Sequence, residues 1–242
     1  MLLRCLNAEI QKCRRSPVWL AFLLLPIFPA LLGTGNFLAN QEVLQNGWYS
    51  LWSQHTLFSA TFFLPALLGV FCGWQWRLEH TDHNWNSYLT APVPLPALYA
   101  AKLILAAGMS LLAQLWIGGL FLLSGKLAGI PGSVPPELPG WLLFGALGGI
   151  TVCAVQLYLS MTVRAFAPPV ACGLMGGILG LLLTAKGLGY AFPYSLLCLG
   201  MRANNPQMEL KLLPFLSSAL VYTAGTFLLA LRYLRKRDAV SE

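Results

Sequence analysis

Long apolar runs alternate along this chain with short polar breaks. Six runs stand out, at Pro17 to Leu38, Leu57 to Trp76, Leu98 to Ser124, Trp141 to Val163, Pro169 to Lys186 and Leu212 to Leu234. Each is near the roughly 20 residues that a helix needs to cross about 30 Å of hydrocarbon. The period-2 alternation of barrel strands is absent, and lipid cannot satisfy an open backbone amide. The pattern therefore predicts an all-α polytopic membrane protein with six transmembrane helices.

Residues 1–16 precede the first run and have a different pattern. Leu3, Leu6, Ile10 and Cys13 recur at helical spacing, while Arg4, Gln11, Lys12, Arg14 and Arg15 take the remaining faces. This predicts an amphipathic helix lying at the membrane interface, with Leu3, Leu6 and Ile10 on its apolar face and Arg14 and Arg15 among headgroups. Residues 17–242 then form a single six-helix transmembrane domain ending in a basic tail.

The widest departure from apolar patterning is residues 77–96, between the second and third runs. Acids, histidines, asparagines and prolines crowd there, between apolar runs that are nearly free of charge. Thr81 or Asp82 suits a helix N-cap. Trp85, Tyr88 and Leu89 then share one face at i, i+3, i+4, and Pro92 stops the helix. A short helix with an aromatic face suits a groove on a soluble partner. The bland alternative is an interfacial helix resting on lipid.

Breaks inside the runs are also informative. Pro26, Pro29 and Pro65 remove backbone donors and can kink their helices. Gly69 and Gly73, Gly145 and Gly149, and Gly173 and Gly177 are each four apart, a spacing that lets helix backbones approach. Of the linking segments, Ala39 to Thr56 holds Trp48, Tyr49 and Trp52, which suit a headgroup belt. Tyr194 to Met201 has room for a short outer or re-entrant helix.

Charge supplies the orientation. Eleven of the fifteen Lys and Arg residues flank one side of the predicted spans, from Arg4 and Lys12 through Arg77, Lys102 and Arg164 to the tail. Lys126, Lys186, Arg202 and Lys211 lie on the other. The bias predicts both termini in the cytoplasm of a cell whose plasma membrane the protein spans. Anionic lipid accounts for the basic tail without a nucleic-acid partner.

Composition removes other classes. Of 242 residues, 57% are hydrophobic and 10% charged, with a mean hydropathy of +0.67; a soluble domain carries about 25% charged residues. The six cysteines sit in or beside apolar runs and read as small hydrophobes. No zinc-protease motif, nucleophile elbow or phosphate-binding loop occurs, and the span interiors are poor in ionisable groups. An intramembrane enzyme and an ion-coupled transporter are therefore disfavoured, and energy would have to arrive from outside the bilayer. Glu79, His80, Asp82 and His83 invite a metal reading, but their spacing is loose and no third histidine is near, so no metal site is assigned.

The pattern Glu79-x5-Trp85-x3-Leu89-x2-Pro92, followed by Tyr99 and Lys102, resembles ABC transporter permeases of the lantibiotic-immunity and bacitracin-resistance type. These belong to the second class of ABC exporter permeases. The likeness covers the whole chain in architecture and residues 77–102 in motif. Val93-Pro94-Leu95-Pro96 is more proline-rich than the family's usual stretch there.

The resemblance implies a permease subunit without catalytic residues of its own. It would bind a cytoplasmic ABC ATPase dimer through a coupling helix marked by Glu79, Asp82, Trp85, Tyr88, Leu89, Pro92 and Lys102. ATP and magnesium would be held by that partner, and a second permease, the same chain or a related one, would complete the pore. The expected cargo is an amphipathic compound such as an antimicrobial peptide. The alternative from another class is a non-transporting scaffold or sensor that uses the same insertion to recruit a cytoplasmic protein.

Overall fold

A computed structural model describes residues 1–81, 85 and 92–236. Helix α1 (Leu2–Cys13) precedes six apolar spans. The first is α2 (Val18–Leu24) followed by α3 (Ile27–Ala39), and the second is α4 (Gly47–Phe58) running through a π turn (Ser59–Phe63) into α5 (Leu64–His80). The third to fifth are α6 (Leu95–Leu127), α7 (Leu138–Thr162) and α8 (Ala167–Ala185). A short helix, α9 (Pro193–Met201), leads to the sixth span, α10 (Leu212–Lys236). No strand occurs among the described residues. The protein is an all-α polytopic membrane protein.

The breaks fall where backbone chemistry puts them. Pro26 caps α3, so the first span divides at the proline that cannot donate to the turn before it. Pro65 lies in the first turn of α5, directly after the π turn. Leu95 and Pro96 form the first turn of α6, where a missing amide proton costs nothing. The third span thus begins three residues earlier than its apolar run.

The second span is much longer than its apolar run. It is a continuous 34-residue helix, Gly47–His80, roughly 50 Å long at 1.5 Å per residue. Residues 47–56, read from sequence as a linking segment, are its first turns. Trp52 is fully buried rather than at a headgroup belt. Its indole N–H donates to Met201 O at 2.8 Å, and its ring stacks on Trp141 at 5.2 Å. The polar residues that disguised this segment are satisfied locally. Thr56 Oγ1 donates to Trp52 O, Ser53 Oγ to Ser50 O, and Asn36 Nδ2 to Gln54 Oε1.

Helix α7 is the centre of the bundle, packing against α5, α6, α9 and α10. Every residue of α9 is buried. It lies so close to α7 that a methyl group at Gly148 would meet the backbone of Leu196, and one at Gly200 the backbone of Phe144. The other glycine pairs also face neighbours: Gly145 meets Met201, Gly149 meets Ser110, Gly69 and Gly73 face Val170 and Phe166, and Gly173 and Gly177 face Pro65 and Thr61. Little of the sixth span is fully buried, and Leu213, Leu220, Val221 and Leu228 are exposed on its surface.

Candidate functional site

Helix α1 has three faces. Cys5, Glu9 and Cys13 are buried, and the helix packs on α6. Leu3 (75% exposed) and Ile10 (45%) form an adjoining apolar surface directed away from the bundle. Arg4, Gln11, Arg14 and Arg15 remain exposed. An acid on the buried face requires a partner, because an isolated carboxylate taken out of water is costly.

That partner is Lys102, near the start of α6 and fully buried. Its Nζ donates to Glu9 Oε2 at 2.9 Å, to Glu79 Oε1 at 2.8 Å and to Gln75 O at 2.8 Å. An ammonium has three protons, and all three are used. The same group sits 4.9 Å from the centre of the Trp76 ring. Lys12 Nζ closes the circuit, donating to Glu9 Oε1 at 2.7 Å and to Glu79 Oε1 at 2.8 Å. Two carboxylates and two ammoniums thus form a neutral knot joining α1, the end of α5 and the start of α6. Burial opposes the charge on Lys12, but Glu79 and Glu9 outweigh it and raise its pKa above the ordinary 10.5. Burial first, and then Glu9, push the Cys13 thiol up to about 11.

An aromatic column rises beside the knot. Trp85 stacks on Trp76 with ring centres 5.4 Å apart and planes within 14°. Trp76 lies 6.2 Å from Tyr99 of α6, and Tyr99 meets Phe227 of α10 edge-on at 5.5 Å. Trp85 Nε1 donates to His80 Nδ1 at 2.9 Å, and His80 Nε2 lies 2.9 Å from Ser160 O. A carbonyl can only accept, so Nε2 carries the proton and His80 is neutral with Nδ1 as acceptor. Through His80 the column is tied to the end of α7.

The sequence-derived site is redistributed by this geometry. Glu79 and Lys102, expected on a partner-facing surface, are 3% and 0% exposed and bind α1 instead. Trp85 is half-buried and held by Trp76 and His80. Pro92 lies in a bend before α6. Asp82, Tyr88 and Leu89, with His83, lie outside the described residues. Of the possible metal ligands, Glu79 is committed to two ammoniums and His80 has both ring nitrogens engaged.

Glu9, Lys12, Gln75 and Trp76 were missed as site residues. One signal was available: Glu9 is the lone acid in a basic helix and sits three residues before Lys12. Counting Lys12 with the polar face concealed that it turns inward.

The knot gathers helix α1 and both flanks of a polar insertion at one end of a six-span bundle. Comparison with curated proteins gives no match. The sequence profile described as ABC-2 family transporter protein matches residues 5–180, which takes in most of α1, the knot, the first four spans and most of α8. The chain belongs to the ABC-2 family of transporter proteins and is a membrane permease subunit of an ABC transporter.

Proposed function

We propose that the chain is the permease of an ATP-driven exporter, with α1 and the 77–96 insertion facing the cytoplasm of a bacterial cell. The observation that carries this reading is the Glu9–Lys12–Glu79–Lys102 knot. It binds the interfacial helix to both ends of the insertion, so force delivered to the insertion reaches three elements together. Trp85, with Asp82, Tyr88, Leu89 and Pro92, meets a cytoplasmic ATPase dimer that holds ATP and magnesium. Glu79 and Lys102 transmit the movement and do not touch the partner. Leu3, Leu6 and Ile10 rest on lipid and let α1 slide in the interface as a rigid piece. A second permease completes the translocation path. The cargo is an amphipathic compound of the lantibiotic or bacitracin kind, expelled from the membrane.

Co-reconstitution of the chain with its ATPase tests the reading. Permease-dependent stimulation of ATP hydrolysis is expected, with Trp85→Ala reducing complex formation and Glu79→Gln uncoupling hydrolysis from transport while the complex persists. If both variants stimulate and transport like the parent, the knot and Trp85 are not the coupling device.

A further inference from the structure

The end of the bundle opposite α1 carries an open cleft of about 650 Å³. It lies between the first turns of α4, the first turns of α7 and the 202–212 segment. One wall is aromatic, built from Tyr49, Trp141 and Phe144, with Tyr49 packed edge-on to Trp141 at 5.8 Å. Glu137 and Glu209 line it too. Tyr49 Oη donates to Glu137 Oε2 at 2.8 Å, which ties that carboxylate to the aromatic wall. Glu209 is exposed and makes no ion pair among the described residues.

The cation that lines the cleft, Arg202, is already occupied. Its Nε donates to Met208 O, and its Nη1 donates to Leu199 O and Gly200 O. Its backbone is left-handed, at φ 54°. It therefore staples the 202–208 turn and covers the end of α9. Two carboxylates against this one engaged guanidinium leave the cleft net acidic in a chain whose formal charge is +7.

We propose that this cleft binds a short basic peptide segment bearing an aromatic side chain. Its ammonium or guanidinium groups pair with Glu209 and Glu137, and its ring lies against the half-buried Tyr49 and Phe144, with Trp141 buried behind them. The volume falls within the roughly 300–1,000 Å³ of ligand sites. Charge-assisted hydrogen bonds and cation–π contact are the attractions such a wall offers a basic ligand. The inference rests on this cleft and not on export, so it is tested without an ATPase.

Isothermal titration of the purified full chain in phosphatidylcholine nanodiscs, with N-acetyl-Lys-Trp-Lys-amide as the probe, measures the binding. Saturable binding is expected, at least about tenfold tighter than for N-acetyl-Glu-Trp-Glu-amide. The double variant E137Q/E209Q, which keeps the acceptor for Tyr49, should lose at least about tenfold in affinity at unchanged melting temperature. E42Q, at the same end but outside the cleft, should bind like the parent. Absent saturation, equal binding of the acidic peptide, an unaffected double variant or an equal loss in E42Q each overturns the proposal.

Discussion

Lys102 and Glu9 are 93 residues apart in sequence, and their side chains meet at 2.9 Å. The contact pins a helix outside the spans to the root of the third span. Because Lys102 is wholly enclosed, removing one partner leaves the knot one charge out of balance with no water to offset it. Loss of one member of such a buried pair costs about 3–5 kcal/mol. Glu9→Gln and Lys102→Met should each lower the melting temperature of the detergent-solubilised protein. The double variant should recover part of the loss, because neither charge is then left alone. Strict additivity of the two effects would show that the residues are not coupled.

Docking of α1 can be read at Cys13. Its thiol is buried and its pKa is about 11, so little thiolate exists at pH 8. In a background with Cys13 as the sole cysteine, maleimide labelling should be slow. Glu9→Gln, which loosens the helix and removes a nearby negative charge, should speed it by about tenfold or more. Unchanged labelling would mean that Glu9 does not hold the helix in place.

The alkaline behaviour follows from Lys12. Its folded pKa is raised above 10.5, so its pairing stabilises the docked helix fully below 10.5 and is lost as pH rises through the folded value. A spin label at exposed Ala8 should stay immobile from pH 7 to about 10 and loosen above that. Loosening between pH 7 and 9 contradicts the assignment.

Among the described residues, Trp85 makes two separable contacts, with Trp76 and with His80. Trp85→Phe keeps a ring against Trp76 and loses the bond to His80, worth about 1 kcal/mol. Trp85→Ala loses both, including the roughly 0.5–1.5 kcal/mol of ring stacking. ATPase stimulation should fall in the order parent, Trp85→Phe, Trp85→Ala. Equal defects in the two variants would leave the stack without a role.

Close helix approach predicts a contrast between glycines. A methyl group at Gly148 meets the backbone of α9, whereas one at Gly108 meets nothing within 4 Å. Gly148→Ala should destabilise by about 1–3 kcal/mol, and Gly108→Ala should be tolerated. Melting temperatures of the two variants measure the difference.

Much of the architecture was legible because lipid imposes one rule: about 20 apolar residues per crossing. All six spans follow from it, and helix α1 was legible separately, from the helical spacing of Leu3, Leu6, Ile10 and Cys13. The start of the second span was hidden because Ser50, Ser53, Gln54, His55 and Thr56 look like loop chemistry. They are tolerated inside because hydroxyls bond their own helix and amides find partners on α3. Glu79, Trp85 and Lys102 were legible as a pattern, but their burial was not. It depends on Glu9, from a distant helix, and a helical-wheel reading assigns an acid to water by default.

The second span has one more consequence. Tyr49, on the wall of the open cleft, and Glu79, in the charge knot, lie near opposite ends of one unbroken helix. Such a helix acts as a connecting rod: its ends are joined by backbone hydrogen bonds and not by a flexible linker. The π turn at Ser59–Phe63 is the point along the rod where torsion can be absorbed. A tug on Glu79 thus has a mechanical path across the full thickness of the membrane to Tyr49.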